Sequence, residues 1–270
     1  MISVAAFRSE LTHRAQQFAS ARSLPHCLSY GPVPTVCFQT DDEGRHGNFH
    51  QASFRSLMAH PDWRKRLRKV HTSAGRILPR VDGNQWRELD TCLSSDALLM
   101  NVFCHPSVIR SPILTRTLGL PAPTSPQFGF PARVPLGNGG GDRTEVDMKI
   151  GNLLVEAKLT ESHFQHAKES SLLRYRDFLE IFDADLLPRK GDYYGGYQLI
   201  RNVLAAHANQ CSFCVLLDAR RPDLIEMWYS VMKCVKPVPL RTACKVLTWQ
   251  ELSRTLPTTL QSFLSTKYGI

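Results

Sequence analysis

Two alternating segments around Gly151-Asn152 restrict the folds open to this chain more than any other feature. The stretch reads T-E-V-D-M-K-I-G-N-L-L-V-E-A-K-L-T, with polar and apolar residues alternating on both sides of the Gly-Asn dipeptide. This alternation is typical of strands with one buried face, and a two-residue loop that contains glycine is typical of a β-hairpin. The sequence therefore predicts two antiparallel strands joined by a tight turn.

The register of this hairpin separates its side chains into two faces. With Gly151-Asn152 as the loop, an apolar face directed to the core contains the pairs Ile150 with Leu153, Met148 with Val155, and Val146 with Ala157. The other face contains, at cross-strand distances of about 5 Å, the pairs Asp147 with Glu156 and Glu145 with Lys158. Like charges directly opposite each other destabilise a sheet, so we expect a cation between Asp147 and Glu156.

Mg²⁺ or Mn²⁺ is the cation expected at this pair of carboxylates. Both ions prefer oxygen ligands, and two converging carboxylates leave coordination positions open for water and substrate. Lys158 follows on the same face, where an ammonium could steady an attacking water or the charge on a phosphate. The alternative is a solvated hairpin face that carries only cross-strand ion pairs.

The same residues carry a resemblance to a known superfamily. Asp147 followed after the hairpin by Glu156-Ala157-Lys158 resembles the D…ExK signature of the PD-(D/E)xK nucleases, which have the restriction-endonuclease-like fold, although Val146 stands where proline is usual. Over roughly residues 70–255 the chain also resembles one bacterial group of restriction-endonuclease-like proteins. The stretches that carry this likeness are T-E-V-D, V-E-A-K-L-T-E, S-S-D-A-L-L-M-N-V-F and Y-Q-L-I-R-N-V-L.

This resemblance implies a fold and a set of site residues. The fold is α/β, a restriction-endonuclease-like core with a mixed sheet flanked by helices, preceded by an N-terminal helical extension. We expect the extension over residues 1–83 and the nuclease-like domain over 84–270. The implied metal ligands are Asp147 and Glu156, and the catalytic set adds Lys158 and Gln198. Additional acidic candidates are Glu145, Glu88 and Asp96.

Positive charge points to a polyanionic partner. Lysine and arginine total 33 against 24 acidic residues, which gives a formal net charge of +9, and this balance favours nucleic acid. Residues 64–69 contain five cations, and Arg64, Lys65 and Arg68, together with Arg201, are the expected contacts to double-stranded DNA. A solvated helix face is the alternative for each of these side chains.

Composition and cysteine usage are those of a cytoplasmic globular protein. Hydrophobic residues make up 43% of the chain, yet no apolar run approaches the roughly 20 residues of a membrane span. Residues 1–20 lack the continuous apolar region of a secretory signal. The eight scattered cysteines are expected to be free thiols, and we expect neither a metal nor a redox role for Cys211 and Cys214.

Periodicity and breakers predict the remaining elements. Helices are expected at residues 5–22, 48–72 with a break near His60-Pro61, 84–103, 161–185, 197–208, 222–235 and after Thr248. Strands are expected at 35–39, 128–134, in the hairpin, and at 212–218 and 245–247. Residues 106–141 are rich in proline and glycine. The glycine run 136–141 at their end is expected to be a linker, with a flexible loop near the active site as the alternative, and 188–196 is expected to be a loop.

The function that these observations favour is metal-dependent hydrolysis of DNA phosphodiester bonds by an endonuclease of restriction or defence. The alternative is a non-catalytic protein that binds nucleic acid or a protein partner through a degenerate nuclease fold. The sequence leaves open whether DNA or RNA is cut, at which sites, and whether the protein acts as a homodimer.

Overall fold

The computed structural model describes residues 2–29, 34–70, 72–73, 76–77 and 86–270. The helices are α1 (Val4–Ser20), α2 (Gln51–Ala59), α3 (Pro61–Lys65), α4 (Ser95–Phe103), α5 (Pro106–Ile109), α6 (Pro112–Thr117), α7 (Glu169–Leu172), α8 (Phe178–Ile181), α9 (Tyr197–Ala208), α10 (Pro222–Met232), α11 (Val238–Ala243), α12 (Trp249–Ser253) and α13 (Thr258–Tyr268). The strands are β1 (His26–Leu28), β2 (Val36–Phe38), β3 (Thr72–Ser73), β4 (Arg76–Ile77), β5 (Gln127–Pro131), β6 (Val134–Pro135), β7 (Gly141–Asp142), β8 (Glu145–Ile150), β9 (Leu153–Ala157), β10 (His166–Lys168), β11 (Arg189–Lys190), β12 (Tyr193–Gly195), β13 (Ser212–Leu217) and β14 (Cys244–Thr248).

The chain forms two compact units. One contains Gln127–Thr248, and the other contains Ile2–Pro126 together with Trp249–Ile270. We call them the sheet unit and the helical unit. The boundary predicted between residues 83 and 84 lies outside the described residues and stays a prediction.

A five-stranded mixed sheet is the centre of the sheet unit. Its strand order is β14-β13-β9-β8-β5. β9 runs parallel to β13 and β13 parallel to β14, whereas β8 is antiparallel to both β9 and β5. Helix α9 lies in the connection from β9 to β13, and α10 and α11 lie in the connection from β13 to β14. The predicted α/β fold with a mixed sheet flanked by helices is confirmed.

The β8-β9 hairpin has the predicted turn. Ile150 pairs with Leu153 and Met148 pairs with Val155. Gly151 has φ +57°, a conformation that glycine adopts without steric cost. Every residue of β9 is buried, because β9 has a strand on each side and a helix against one face.

Helix α9 covers the face of the sheet that carries Leu154, Phe213 and Val215. Its buried residues Leu199 and Val203 belong to the same apolar cluster as these strand residues, and each fully buried side chain of this size contributes about 1.5–3 kcal/mol. The predicted helix over residues 197–208 is confirmed.

Gly196 sets the start of α9. It is the N-cap residue with φ +72°, and a Cβ added there would lie 2.7 Å from Val231 Cγ2. Both the backbone conformation and the contact with α10 therefore require glycine. The close contact between Gly196 and Val231 sets the position of the first turn of α9 relative to α10.

The helical unit begins with α1, whose buried residues Phe7, Leu11, Ala15 and Phe18 are those that the helical period predicts. Phe18 packs in a cluster with Val36 and Phe38 of β2 and Phe263 of α13. The predicted break near His60-Pro61 is also confirmed, because His60 is extended with ψ 111° and separates α2 from α3. Beyond Lys65 the chain tightens into a 3₁₀ turn, Arg66–Arg68, and leaves helical geometry.

The helix predicted over residues 84–103 is shorter than expected. Residues 84–85 lie outside the described part of the chain, and Glu88–Asp90 forms a 3₁₀ turn. Helix α4 begins only at Ser95, where the Ser94 hydroxyl caps it by accepting a hydrogen bond from the Ala97 N–H over 3.0 Å. The capping serine lies inside the apolar pattern, and for this reason periodicity placed the start too early.

The proline-rich residues 106–141 contain two short helices, since α5 and α6 each begin with a proline in the first turn, a position that proline tolerates well. Two further predictions of secondary structure, for residues 161–185 and 188–196, are wrong. Residues 161–185 do not form one helix but β10, α7 and α8. The predicted loop 188–196 contains β11 and β12, which join β10 in a three-stranded sheet. Leu173, which follows α7, is 52% exposed.

All eight cysteines are free thiols, and six of them are buried, as predicted. Among the described helices, none has the length and apolar character to cross a bilayer.

Candidate active site

The candidate site lies where β8 and β9 leave the hairpin pairing. The register runs from Ile150–Leu153 to Met148–Val155. One residue further, the Asp147 carboxylate accepts a hydrogen bond from the Ala157 N–H over 2.8 Å. The side chain of Asp147 is thus an acceptor for the main chain of β9, which holds this carboxylate beside the strand that carries Glu156.

Glu156 is the most enclosed acidic group of the site, with 2% of its surface exposed. Its Oε1 lies 2.7 Å from Lys158 Nζ, and its Oε2 accepts a hydrogen bond from Asn202 Nδ2 over 2.8 Å. A buried carboxylate needs such partners because desolvation of an unpaired charge is costly. Both oxygens of Glu156 are therefore fixed in position.

Asn202 and Arg201 form a directed chain behind Glu156. Arg201 Nη2 donates to Asn202 Oδ1 over 3.0 Å and to the Glu145 carbonyl over 3.2 Å. Arginine only donates and a carboxylate only accepts, so the Asn202 amide has a single orientation that satisfies both neighbours. Arg201, predicted from the sequence to contact DNA, is buried and directs its guanidinium to these internal acceptors.

The sequence pointed to Gln198, whereas Asn202 is the residue of α9 that touches Glu156. The two positions are one helical turn apart and share a face of the helix. Gln198 is half-buried, and within the described part of the chain no hydrogen bond involves its side chain. The available signal was the i, i+4 spacing, which offered Asn202 as an equal candidate.

Lys158 is a buried ammonium held by acidic neighbours. Burial alone would lower the pKa of Lys158, but the charges of Glu156, Glu161 and Asp147 outweigh it and raise this pKa above the ordinary value. The ammonium is therefore protonated at neutral pH. It is a buried positive charge among the carboxyl groups of the site.

The side chains of Glu161 and Arg221 hold the loop after β9 in position. Glu161 Oε2 accepts a hydrogen bond from the Leu159 N–H over 2.7 Å. Arg221, which is fully buried, donates to the carbonyls of Glu161 and Ser162 over 2.7 and 3.3 Å and pairs with Asp223. Hydrogen bonds to the main chain of Leu159, Glu161 and Ser162 therefore fix the segment that directly follows Lys158.

A family of restriction endonucleases matches nearly all of this chain. Its description reads "Restriction Endonuclease associating with ARP", and the match covers residues 12–269. The chain belongs to this family. Neither the curated proteins nor the solved structures contain a significant match to it. Membership in a restriction endonuclease family agrees with the five-stranded mixed sheet.

The remaining acidic candidates have different surroundings in this family member. Asp96 lies in the helical unit, where its Oδ2 is 2.8 Å from both Arg66 Nη2 and Lys69 Nζ. Burial raises the pKa of Asp96, but Lys69 and Arg66 outweigh it and lower this pKa below the ordinary value. Glu88 belongs to the 3₁₀ turn of the same unit, and Glu145 is exposed at the start of β8.

The basic segment 64–69 divides into two groups. Arg66 and Lys69 pair with the buried carboxylate of Asp96. Arg64 and Arg68 are exposed, and Lys65 is exposed beside Asp62, with its Nζ 2.6 Å from Asp62 Oδ1. The structure therefore leaves Arg64, Lys65 and Arg68 on the surface.

The donor set of the site fits a hard divalent cation. Asp147 and Glu156 supply carboxylate oxygens, each of which can accept more than one partner. Asp147, Glu156 and Glu161 act together on Lys158, so three carboxyl groups share one ammonium. Among the described residues, no group of three or more His, Cys, Asp or Glu side chains is arranged to hold a metal. Water and substrate would have to supply the other ligands.

Proposed function

We propose that this restriction-endonuclease family member is a Mg²⁺-dependent endonuclease of the PD-(D/E)xK superfamily that hydrolyses double-stranded DNA in restriction or defence. The observation that carries the proposal is the grouping of Asp147, Glu156 and Lys158 at one end of the β8-β9 hairpin. Perturbed titratable groups with distinct roles are typical of catalytic sites.

Asp147 and Glu156 are the proposed ligands of Mg²⁺ or Mn²⁺. When bound, the cation supplies Lewis-acid polarisation of the scissile phosphate and a water of lowered pKa. Glu156 reaches this position already oriented by Lys158 and Asn202, and Asp147 is oriented by the Ala157 N–H. The protein thus pre-organises both carboxylates before the cation arrives.

Lys158 is the proposed stabiliser of negative charge on the phosphate. Its raised pKa keeps the ammonium charged, and its burial strengthens the electrostatic interaction with a nearby anion. Asn202 and Arg201 are positioning residues, since they act through Glu156. Gln198, one turn before Asn202 on the same helix face, is proposed to support the substrate, and Glu145 to influence the charge of the site.

The exposed cations Arg64, Lys65 and Arg68 are the proposed contacts to the DNA backbone, because they remain free of the Asp96 pairing. The family description names an association with ARP. We include such a partner in the proposal, acting with the nuclease. We also propose that the protein acts in the cytoplasm and that it forms a homodimer.

A second function has specific support. The Glu156–Lys158 pair satisfies both charges at 2.7 Å without a metal. This arrangement suits a non-catalytic protein that retains the nuclease fold and binds nucleic acid or a partner.

One experiment separates the two functions. Purified protein is incubated with supercoiled plasmid in Mg²⁺, in Mn²⁺ and in EDTA. Nicking or linearisation only with the divalent cation is expected. The matched controls are Asp147→Asn, which should be inactive, and Glu226→Gln on the exposed side of α10, which should be fully active. Equal cleavage by wild type and folded Asp147→Asn would contradict the assignment of Asp147, and absence of cleavage with retained DNA binding would favour the second function.

A further inference from the structure

The helical unit contains a pocket of about 660 Å³ that is separate from the residues of the candidate active site. Its walls are formed by residues of α1, of the turn before α2, of α2 itself and of α13. The volume is within the range of pockets that bind small organic ligands. Nothing in the proposed hydrolysis uses this pocket.

Aromatic rings dominate its walls. The rings of Phe49 and Phe54 lie 5.4 Å apart and are tilted by 33°. On another side, the rings of Phe18 and Phe263 meet edge to face at 5.6 Å. Rings arranged in this way offer faces and edges on which a planar heterocycle can stack.

Two arginines that form no ion pair with another described residue line the pocket. Arg22 places its guanidinium carbon 4.2 Å from the centre of the Phe18 ring. Arg55 is exposed on α2 and also lines the pocket. A third arginine, Arg45, is neutralised by Asp41 and Glu43 at 2.7 and 2.9 Å. Arg22 and Arg55 are thus the groups available to an anion.

Polar groups for reading a base edge are also present. His50 lines the pocket, and its Nδ1 is buried without a hydrogen-bond partner among the described residues. Its ring lies 5.7 Å from the Phe263 ring and 5.2 Å from the His105 ring. Gln51 adds an exposed side-chain amide beside it. Such a ring can turn toward a ligand without breaking a hydrogen bond within the described part of the protein.

We propose that this pocket binds one unstacked nucleotide, with the base against Phe49 and Phe54 and the phosphate on Arg22 and Arg55. Stacking on aromatic rings, hydrogen bonds to base edges and arginine contacts to phosphate are the interactions by which proteins hold single nucleotides. The nucleotide could belong to a nucleic-acid strand or be free in solution, since both present the same chemistry.

Binding measured in EDTA tests this proposal without any nuclease activity. The probes are a fluorescent oligothymidylate of about 12 nucleotides, followed by anisotropy, and thymidine monophosphate, followed by calorimetry. Phe54→Leu, which keeps an apolar side chain, and Arg22→Gln should each weaken binding by about tenfold or more. Arg116→Gln, an exposed arginine of α6 outside the pocket, is the matched control and should bind like wild type.

The two probes distinguish the sources of the nucleotide. Tight binding of the oligonucleotide with weak binding of the monophosphate supports a strand as the source, and the reverse supports a free nucleotide. Because Phe54 is buried, circular dichroism must show that Phe54→Leu is folded, and Arg22→Gln at the rim gives an independent answer. Affinities for both probes that are unchanged in Arg22→Gln and in folded Phe54→Leu would overturn the proposal. Asp147→Asn should bind both probes normally, which keeps this result separate from the fate of the nuclease proposal.

Discussion

Asn202 on α9 donates a hydrogen bond from Nδ2 to Oε2 of Glu156 on β9 over 2.8 Å. Its other amide atom, Oδ1, accepts from Arg201, so the amide has one orientation. Residues that orient a metal ligand in this way change metal affinity or activity by about 10–100-fold when they are replaced.

Replacing Asn202 should therefore weaken metal binding more than folding. We expect Asn202→Ala to raise the Mg²⁺ concentration for half-maximal cleavage by about 10–100-fold. Asn209→Ala is the matched control, because Asn209 ends the same helix and donates to Ala132 O instead. Mg²⁺ titration of the cleavage rate measures the effect. An unchanged midpoint in Asn202→Ala would show that Glu156 does not depend on this amide.

Neutral replacements of the two carboxylates should both abolish Mg²⁺-dependent cleavage but differ in stability. Asp147→Asn retains an oxygen that can accept from the Ala157 N–H, so it should unfold much like wild type. Glu156→Gln removes a buried charge that partners Lys158, and its free energy of unfolding should fall by about 2 kcal/mol. Urea titration and plasmid cleavage give the two readouts. Cleavage by folded Asp147→Asn at the wild-type rate would refute the assignment.

Lys158 should be needed for turnover rather than for DNA binding. Lys158→Met should lower the single-turnover cleavage rate by about a hundredfold or more, whereas Lys149→Met in the same hairpin should not. Because the pKa of Lys158 is raised, its positive charge is present below the ordinary lysine value and is lost only above it. The wild-type rate should then show no loss from deprotonation of this group between about pH 7 and 10. A large fall in DNA affinity with normal cleavage at saturation would make Lys158 a phosphate anchor.

Replacing Asp96 tests whether this residue is a third acidic metal ligand or only an ion-pair partner of Arg66 and Lys69. If its role is to hold Arg66 and Lys69, Asp96→Asn should lower the free energy of unfolding by about 3 kcal/mol and leave cleavage by the folded protein intact. The pKa of Asp96 is lowered by folding, so its contribution is present above about pH 3.8 and is lost as the pH falls further. The stability difference between wild type and variant should shrink below that pH. Loss of cleavage without loss of stability would instead support a metal ligand.

The surface cations of residues 64–69 should control the salt dependence of DNA binding. Each phosphate that they neutralise contributes about 0.9 to the slope of log affinity against log salt. The triple change of Arg64, Lys65 and Arg68 to glutamine should flatten this slope by roughly two units and weaken binding to all sequences alike. Arg8→Gln with Arg14→Gln on α1 is the control. An unchanged slope would show that DNA binds to a different surface of the protein.

Local patterns determined which parts of the fold could be predicted. The α1 and α9 helices and the β8-β9 hairpin are long enough for their periods to be read, and Gly151 marks the turn. In contrast, α5 and α6 have only four and six residues, too few to show a helical period. The pairing of β10 with β12 joins segments that are distant in sequence, and no local signal announces it.

For the candidate site as well, only the residues with a local sequence signal could be predicted. Asp147, Glu156 and Lys158 are within one hairpin, and their grouping follows from its register. Asn202 is 46 residues from Glu156, and its contact depends on how α9 packs on the sheet. Sequence could reach the correct helix face through Gln198 but could not decide which turn of that face meets the carboxylate.

The glycine at the start of α9 has a consequence for how this protein can change over time. Gly196 lacks a side chain both because of its φ of +72° and because Val231 occupies the space where a Cβ would lie. A side chain at position 196 would strain the backbone and approach Val231 too closely, and relief would require a shift of α10 or of the first turn of α9, the helix that carries Asn202. Substitution of Gly196 is therefore not expected to be neutral. A larger residue in place of Val231 would approach the Gly196 backbone more closely, so position 231 is restricted as well. Helix α10, which carries none of the proposed site residues, is thus constrained by the site through its contact with Gly196.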